Sequence, residues 1–464
     1  MIWIINYAHR IKSHRICFLA LRLGEITIDD FFLTAFDPKD TPGGSVDPLG
    51  FDRSSGFLAD KILPDITNVA SQPRYFAMLC AGLALVQDTG NGQQSIRKRQ
   101  DSLLRLERLW ALAITLADLE TKSDDSATRF NSFGVRGVTY AQAEALRVVG
   151  REYVGHDYRL LSRQASHGAL GVYASVAERL RLFNNRKNLT LTNDLGLPLG
   201  EAFIRETNMP KAVKDVVGGG SEKVSRRDLT DWGLRARLLE GTAGAEERRL
   251  LQEAFNFNQI RKRTAELLRQ RPYKNGETEF DRLTRIKQNI GNRNKDLKEA
   301  IVSIVRYEKC YKHALFILNR LIWLCGQWGR LADDIIGTDE ILKRTGANVR
   351  VVVDAFLAHI SNLDTEHMSR GMEKIEDIRR LFELMRDASS DTVELARVIQ
   401  HRHEDVQRGK YDNGRSKAPW VERTEAGFAL NNAAPKSFTA EPVETDTIIP
   451  HSYRTGTADG FYKV

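Results

Sequence analysis

The residue types best suited to chemistry gather in a few short stretches. "QHRHED" at 400–405 carries His401, His403, Glu404 and Asp405, the side chains of a metal site or an acid–base pair. Zinc collects three or four such ligands at one point. On a helix His401 and His403, two apart, project to different sides, and only His401 and Asp405, four apart, share a face. The other histidines and the cysteines lie far off in sequence, so the stretch reads as a solvated, charged helix face. "ADDIIGTDEILKR" at 332–344 groups Asp333, Asp334, Asp339, Glu340 and Lys343, resembling the acid clusters of magnesium-dependent nucleases. The D…ExK spacing is absent, because Glu340 and Lys343 stand three apart. They read as a helix-surface pair, with Asp339 favoured at a helix start. "VVGGGSEK" at 216–223 lacks the G-x-x-x-x-G-K-[ST] order, and the strand before it, that a phosphate loop needs. Cys17, Cys80, Cys310 and Cys325 form no CxxC pair, which argues against a zinc knuckle or a disulfide framework and fits a reducing cytoplasm. No catalytic residue, metal ligand or cofactor is assigned.

Binding is the stronger theme. "GALGVYASVAERLRLFNNRKNLTLTNDLGLPLGEAF" at 168–203 runs through an amphipathic helix, a polar tip, a short alternating segment and a new helix. In a helix-turn-helix the second helix needs one apolar face for its domain and one polar face for DNA. Leu170, Tyr173, Val176, Ala177 and Leu180 can pack inward, leaving Ser175, Glu178, Arg179 and Arg181 outward. Arg186 and Lys187 mark a wing tip, Leu189 and Leu191 a strand, and Asn193-Asp194 the following turn. Pro198 is tolerated in the first turn of the next helix. A winged helix is one reading; a helical domain containing a single hairpin is the other, and a winged helix can also hold protein. For DNA, the contacting residues are Arg163, Ser175, Arg179, Arg181, Arg186 and Lys187. Further on, Arg261, Lys262 and Arg263 extend a basic helix, with Phe255, Phe257 and Tyr273 near enough in sequence for base stacking.

These residues need helices to position them. Proline is scarce, at 12 in 464 residues, and apolar residues recur at three- and four-residue spacing. A helix starts near Arg74, because the residue before Pro73 is pushed out of helical geometry. Residues 96–120 form a strong helix with a stripe of Leu103, Leu106, Trp110, Ala113 and Ala117. Helices follow at 139–150 and 157–166, then at 228–270, 280–290, 295–332, 337–345, 348–361 and 370–408, the last with room for one break. The expected organisation is an N-terminal extension and loop at 1–50, a helical domain at 51–210 ending in the winged-helix-like module, and a Gly-rich linker at 211–228. A second helical domain at 229–410 and an irregular C-terminal tail of loops and short strands at 411–464 complete it. The class is mainly α, multi-domain, with little β.

A length of 464 residues suits two or three domains. With 42% hydrophobic and 28% charged residues the chain is that of a soluble globular protein. The formal net charge of +8, from 69 basic and 61 acidic residues, tilts the partners toward polyanions. The N-terminus "MIWIINYAHRIKSHRICFLALRLG" places apolar residues before basic ones, the reverse of a secretory signal; alternatively the native start lies downstream. "YKHALFILNRLIWLCGQW" at 311–328 is interrupted by Lys312, His313, Asn319 and Arg320, so it reads as a buried helix rather than a membrane span.

"FLADKILPDITNVASQPRYFAMLCAGLAL", followed by the basic helix "IRKRQDSLLRLERLWALA", resembles an early segment of uncharacterised bacterial proteins of anti-phage defence islands. The matching positions are Ala59, Asp60, Leu63, Pro64, Thr67, Arg74, Tyr75 and Phe76. The sequence departs from that pattern at Asp65, where glycine is expected, and around Gln72-Pro73. The resemblance spans about 56–203 and implies a genomic setting rather than an activity. Read from the residues alone, Asp60 pairs locally, Pro64 ends a helix, Arg74 meets a buried carboxylate, and Tyr75 and Phe76 are core aromatics. Together these features lead us to expect a cytoplasmic, non-catalytic subunit of a bacterial anti-phage or mobile-element defence system. It binds or senses nucleic acid, DNA ahead of RNA, and sits with protein partners in a larger complex away from membranes. The alternatives are a helical scaffold or adaptor that recruits an enzyme, and a metal-dependent nuclease assembled from distant residues such as Asp333, Asp334, Glu340 and His401.

Overall fold

The computed structural model describes residues 47–86, 93–121, 134–291, 294–412, 415–425, 427–434 and 441–464. The N-terminal segment with Cys17, and with it most of the expected extension and loop at 1–50, lies outside them. The chain is mainly helical, 65% helix against 6% strand, so helix packing organises it and strands only tie ends together.

In chain order the first elements are α1 (Asp52–Ile62), α2 (Arg74–Ala84), α3 (Gln93–Thr121), α4 (Val138–Arg147), β1 (Tyr153–Gly155), α5 (Gln164–His167) and α6 (Ala169–Arg179). Next come β2 (Phe183–Asn185), β3 (Thr190–Leu191), α7 (Gly196–Glu206), α8 (Lys211–Gly218), β4 (Lys223–Ser225), α9 (Arg226–Arg235), α10 (Ala245–Asn256), α11 (Gln259–Gln270) and α12 (Glu279–Asn289). The rest are α13 (Lys295–Trp328), β5 (Arg330–Leu331), α14 (Asp333–Thr338), α15 (Glu340–Ser361), α16 (Glu366–Ser369), α17 (Glu376–Asp387) and α18 (Thr392–Arg408). Short strands β6 (Tyr411–Asp412), β7 (Arg415–Ser416), β8 (Val421–Thr424) and β9 (Gly427–Leu430) precede a terminal helix, α19 (Thr455–Lys463).

Helix α2 is the hub. Every residue from Arg74 to Leu83 is buried, with α3 and α7 both packed against the helix. Trp110 on α3 stands edge-on to Tyr75 with ring centroids 4.8 Å apart, and its indole N–H donates to the Ala236 carbonyl at 2.8 Å. Helix α9 lies directly on α3, and glycine makes the crossing possible: a Cβ on Gly233 would come within 2.0 Å of the Ala113 carbonyl oxygen. The long helix α13 buries Ile301, Ile304, Phe316, Ile317 and Leu321, with α15 and α1 packed against it. Among the described residues no helix is long and apolar enough to cross a membrane. Nearly all of the buried apolar side chains from Leu49 to Val464 belong to one continuous cluster.

Besides dividing the helical stretch expected at 228–270 into α9, α10 and α11, the structure differs from the sequence-based outline at four places, each for a local reason. The helix expected at 157–166 shrinks to α5, because the preceding residues pair β1 with β4, Val154 opposite Val224. The glycines expected in a linker at 211–228 instead close α8: Gly219 takes φ +86°, and the Gly220 N–H reaches back to the Asp215 carbonyl at 2.8 Å. That is the left-handed cap for which glycine is suited. The helices expected at 337–345 and 348–361 are largely one, α15, since Gly346 packs its bare side toward the Ser389 carbonyl. In the tail, the last residues are helical. Phe461 of α19 reaches the core, 4.7 Å from Phe255 and 5.8 Å from Phe76 between centroids.

Arginine–carboxylate pairs join segments distant in sequence. Arg74, 1% exposed, meets the fully buried Glu247 through two hydrogen bonds of 2.9 and 3.0 Å. Arg261 reaches Asp65 at 2.9 Å, and Arg282 reaches Asp459 at 2.5 Å. Asp60 pairs with Arg454 of the tail rather than locally. Asp65 itself sits at φ +68°, a left-handed conformation that aspartate tolerates better than most residues. Removing one partner of a buried pair strands the other charge. Glu247→Gln is therefore expected to lower unfolding stability by about 3–5 kcal/mol. The double variant Arg74→Met/Glu247→Leu should lose less than that single change, as read from urea denaturation midpoints.

Candidate nucleic-acid interface

The helix α6 is hung from the core by a buried carboxylate. Glu107, in the middle of α3, is 2% exposed and accepts the Ala169 backbone N–H at 2.6 Å and the Gln164 amide at 2.8 Å. Burial pushes the Glu107 carboxyl above its ordinary range, and these donors pull it back. The N-terminus of a helix favours a negative charge, so the carboxylate both caps α6 and ties it to α3. Space there is tight: a Cβ on Gly168 would lie 2.6 Å from a Glu107 oxygen, and one on Gly171 would lie 1.9 Å from the Ser166 carbonyl oxygen. Tyr173 then fixes the rotation of α6, its ring stacked on Tyr75 at 4.8 Å. Tyr173, Val176, Ala177 and Leu180 face inward as their spacing predicts, while Leu170 is only half-buried.

The other end of α6 turns sharply. The Arg181 N–H donates to the Glu178 carbonyl at 3.0 Å and the Leu182 N–H to the Ala177 carbonyl at 2.8 Å. Together these make a Schellman closure, whose left-handed position is usually glycine. Here it is Arg181, at φ +60°. The β2–β3 hairpin follows, with Phe183 opposite Leu191. At its tip the Asn185 side chain accepts from the Lys187 and Asn188 backbone N–H groups at 2.8 and 3.2 Å, an asparagine-centred turn. Arg99 of α3 donates to the Asn188 carbonyl at 2.9 Å. The hairpin is thus pinned back onto the helix that carries Glu107.

The six residues expected at the interface divide between two places. Arg163 is exposed just before α5, at the N-terminal end of α6, which is roughly 16 Å long from its residue count. Arg179, Arg181, Arg186 and Lys187 lie exposed at the opposite end, and Ser175, half-buried, is one turn back from Arg179. Two of these arginines are engaged internally. Arg181 pairs with Asp194 at 3.0 Å and stands 4.3 Å over the ring of Phe257, and Arg186 pairs with Glu178 at 3.5 Å. Arg163, Arg179 and Lys187 make no ion pair among the described residues. Sequence reasoning did not assign Arg97 and Lys98 to this edge. Both are exposed and immediately precede Arg99, whose hydrogen bond brings the start of α3 to the hairpin. The signal was the "RKR" run itself. Of the three aromatics considered for stacking, Phe255 is fully buried, Tyr273 lies beneath Arg282, and Phe257 is 55% exposed.

The stretches with catalytic residue types are engaged elsewhere. His403 is fully buried rather than on a solvated face: one ring nitrogen meets the Pro48 carbonyl at 3.0 Å and the other accepts the Trp420 N–H at 2.8 Å. Burial brings its pKa down to about 4. His401 and Asp405 do lie exposed, 3.6 Å apart. Asp333 takes Arg423 and Arg397, Asp339 takes Arg320 and caps α15, and Glu340 takes Lys343. Cys80, Cys310 and Cys325 are buried thiols whose pKa burial raises. Among the described residues no three His, Cys, Asp or Glu side chains converge to hold a metal ion. Comparison of the chain with protein-family models, curated proteins and solved structures finds no match.

Two measurements probe these contacts. Glu107→Leu leaves the Ala169 N–H unpaired and removes one of the two acceptors of the Gln164 amide nitrogen, which keeps the Leu104 carbonyl, an expected cost of about 1–3 kcal/mol. It should speed amide exchange at the start of α6, whereas Glu107→Gln, which keeps an acceptor, should cost less. The second concerns Asp333, whose carboxyl the Arg423 guanidinium, joined by Arg397, holds down to about 2. Stability from a carboxylate with a depressed folded pKa is complete above its unfolded value, here near 3.8, and is lost as pH falls toward about 2. Asp333→Asn should therefore melt below the wild type at neutral pH, with the gap closing as pH falls through that window.

Proposed function

We propose that the protein binds nucleic acid, DNA ahead of RNA, along the edge made by the C-terminal end of α6, the β2–β3 hairpin and the start of α3. The carrying observation is the set of exposed cations Arg97 and Lys98 at the start of α3, Arg179 at the end of α6 and Lys187 at the tip of the hairpin pinned to α3; none makes an ion pair among the described residues. Element order supports the reading: two helices, a two-stranded hairpin and a further helix follow the sequence of a winged helix, with α6 in the recognition position. The chain's net charge of +8 favours the same class of partner. The role is non-catalytic. The protein holds or senses DNA in the cytoplasm and presents it to an enzyme in a multi-subunit complex, and the resemblance to proteins of bacterial defence islands supplies the setting. The edge reads phosphates; nothing in it is shaped to read one base over another. A second reading, a helical adaptor, draws on the groove between α17 and α18, of about 560 Å³, where Leu384 is 56% exposed.

Four phosphate contacts imply a log–log dependence of affinity on salt with a slope of roughly −3 to −4 on duplex DNA. Fluorescence anisotropy with a labelled duplex across a salt series should show that slope. Reversing Arg97, Lys98, Arg179 and Lys187 to glutamate should abolish binding, while Arg163→Glu, at the far end of α6, should change it little. Absence of binding at low salt, or retention by the fourfold variant, overturns the reading, and a co-purifying protein without nucleic acid would favour the adaptor.

A further inference from the structure

A second site lies outside this edge, in a cavity of about 630 Å³ between α1, α16 and the turn that follows α16. Lys61 of α1 lines it and is only 7% exposed. Its ammonium donates to the carbonyls of His367 and Arg370, and the His367 ring returns a hydrogen bond to the Lys61 carbonyl at 2.8 Å. An ammonium carries three donors, and two are used here. Among the described residues no carboxylate lies within ion-pair distance of it: Asp60, which also lines the cavity, is taken by Arg454, and Glu373 acts on it only at longer range. A buried cation with neither counter-ion nor full hydration is costly. Burial, together with the like charges of Lys374 and Arg370, outweighs the opposing pull of Glu373 and Asp60 and brings the Lys61 pKa down from its ordinary range. Arg370 and Lys374 also line the cavity, both exposed and without an ion pair among the described residues. Three cations converge on one space, where the Phe57 ring forms an apolar floor 4.7 Å from the Lys61 ammonium.

The geometry points to a binding site for a small phosphate ester, its phosphate held among Lys61, Arg370 and Lys374. Lysine meets phosphate as a point charge and arginine as a two-pronged donor, and both are present. Three carboxylates also line the cavity: Asp60 is neutralised by Arg454, while Glu366 and Glu373 would repel a second anionic group but accept hydrogen bonds from hydroxyls, which favours a phosphate carried on a polyol over a bare polyphosphate. Gly371, at φ +83°, lets the chain turn against Phe57: a Cβ there would come within 3.0 Å of that ring. A hydrogen bond to a charged group is worth about 1.5–3 kcal/mol, so each cation removed should weaken binding roughly tenfold or more.

Isothermal titration of the full chain with inorganic phosphate and with ribose 5-phosphate, at low ionic strength and millimolar ligand, tests the site. The ester should bind, and more tightly than phosphate. Arg370→Ala/Lys374→Ala, which changes only exposed side chains, should weaken it by at least about a hundredfold if the two contributions add. Lys61→Met should abolish it, read only if its circular dichroism and melting match the wild type. The fourfold variant at the α6–hairpin edge should retain full ester binding, which separates this site from the nucleic-acid edge. Failure of the wild type to bind either probe overturns the assignment. So does equal binding by the Arg370/Lys374 double variant, or loss of binding in the edge variant.

Discussion

The cationic edge stands where Glu107 puts it. A carboxylate in the core of α3 is an expensive group, and it is retained because the first free N–H of α6 and the Gln164 amide complete its hydrogen bonds. The same contacts that satisfy the carboxylate fix the origin of α6. Eight residues earlier on α3, about 12 Å along its axis, Arg99 takes the carbonyl at the hairpin tip. Helix α6 and its hairpin therefore form a strap that leaves α3 at Glu107 and returns to it at Arg99. Positions along that strap inherit the rigidity of the core, which is what a surface needs if it is to hold cations at set spacings without further ordering cost.

The rest of the molecule keeps α3 and its neighbours in place by closing distant parts of the chain on one another. The Arg74–Glu247 pair locks α2 to α10, and Arg282 holds Asp459 in α19. Phe461 reaches the aromatic cluster that includes Phe76 and Phe255. At the other side of the core Glu308 of α13, fully buried, receives the Tyr453 hydroxyl at 2.5 Å and a ring nitrogen of His451 at 2.7 Å. The terminal segment is thus built into the same core as the helices that precede it. A buried carboxylate with several donors is tolerable where an isolated one is not. The repeated use of that solution explains how a helical protein with so many internal charges packs around one apolar cluster.

What could be read in the sequence was what depends on neighbours three and four residues away. The inward face of α6 at Tyr173, Val176, Ala177 and Leu180, and the stripe on α3 through Trp110, follow from helical period alone. Arg74 was legible as a residue needing a buried carboxylate, since it sits in an otherwise apolar helix. That the carboxylate is Glu247, 173 residues on, was not, because no local pattern encodes it. The β1–β4 pairing, the stacking of Arg181 on Phe257 and the reach of Arg454 to Asp60 are non-local in the same way. His403 misled for a related reason: in sequence it belongs to a charged run, and only the arrival of Pro48 and Trp420 from elsewhere makes its burial possible. At the interface the outward residues were recognisable, but their division was not. Arg163 and Arg179 flank one helix, and its length separates them.

The internal pairs at the edge decide what kind of ligand it favours. Arg181 and Asp194 are 46% and 55% exposed, and Arg186 and Glu178 are 50% and 39% exposed. Exposed pairs of this kind are worth only about 0–1 kcal/mol, so an incoming phosphate can draw either arginine away at little cost. The carboxylate released by that exchange stays on the surface and repels anions nearby. An isolated anion gains one arginine and meets one carboxylate, and comes out near even. Under the proposal, a polyanion with regularly spaced phosphates would gain Arg97, Lys98, Arg179 and Lys187 as well, which need no exchange, and would release its own condensed counterions on binding. On the proposed reading, the acidic residues interleaved in the edge would act as a filter, discounting single charges while leaving an extended phosphate backbone a net advantage.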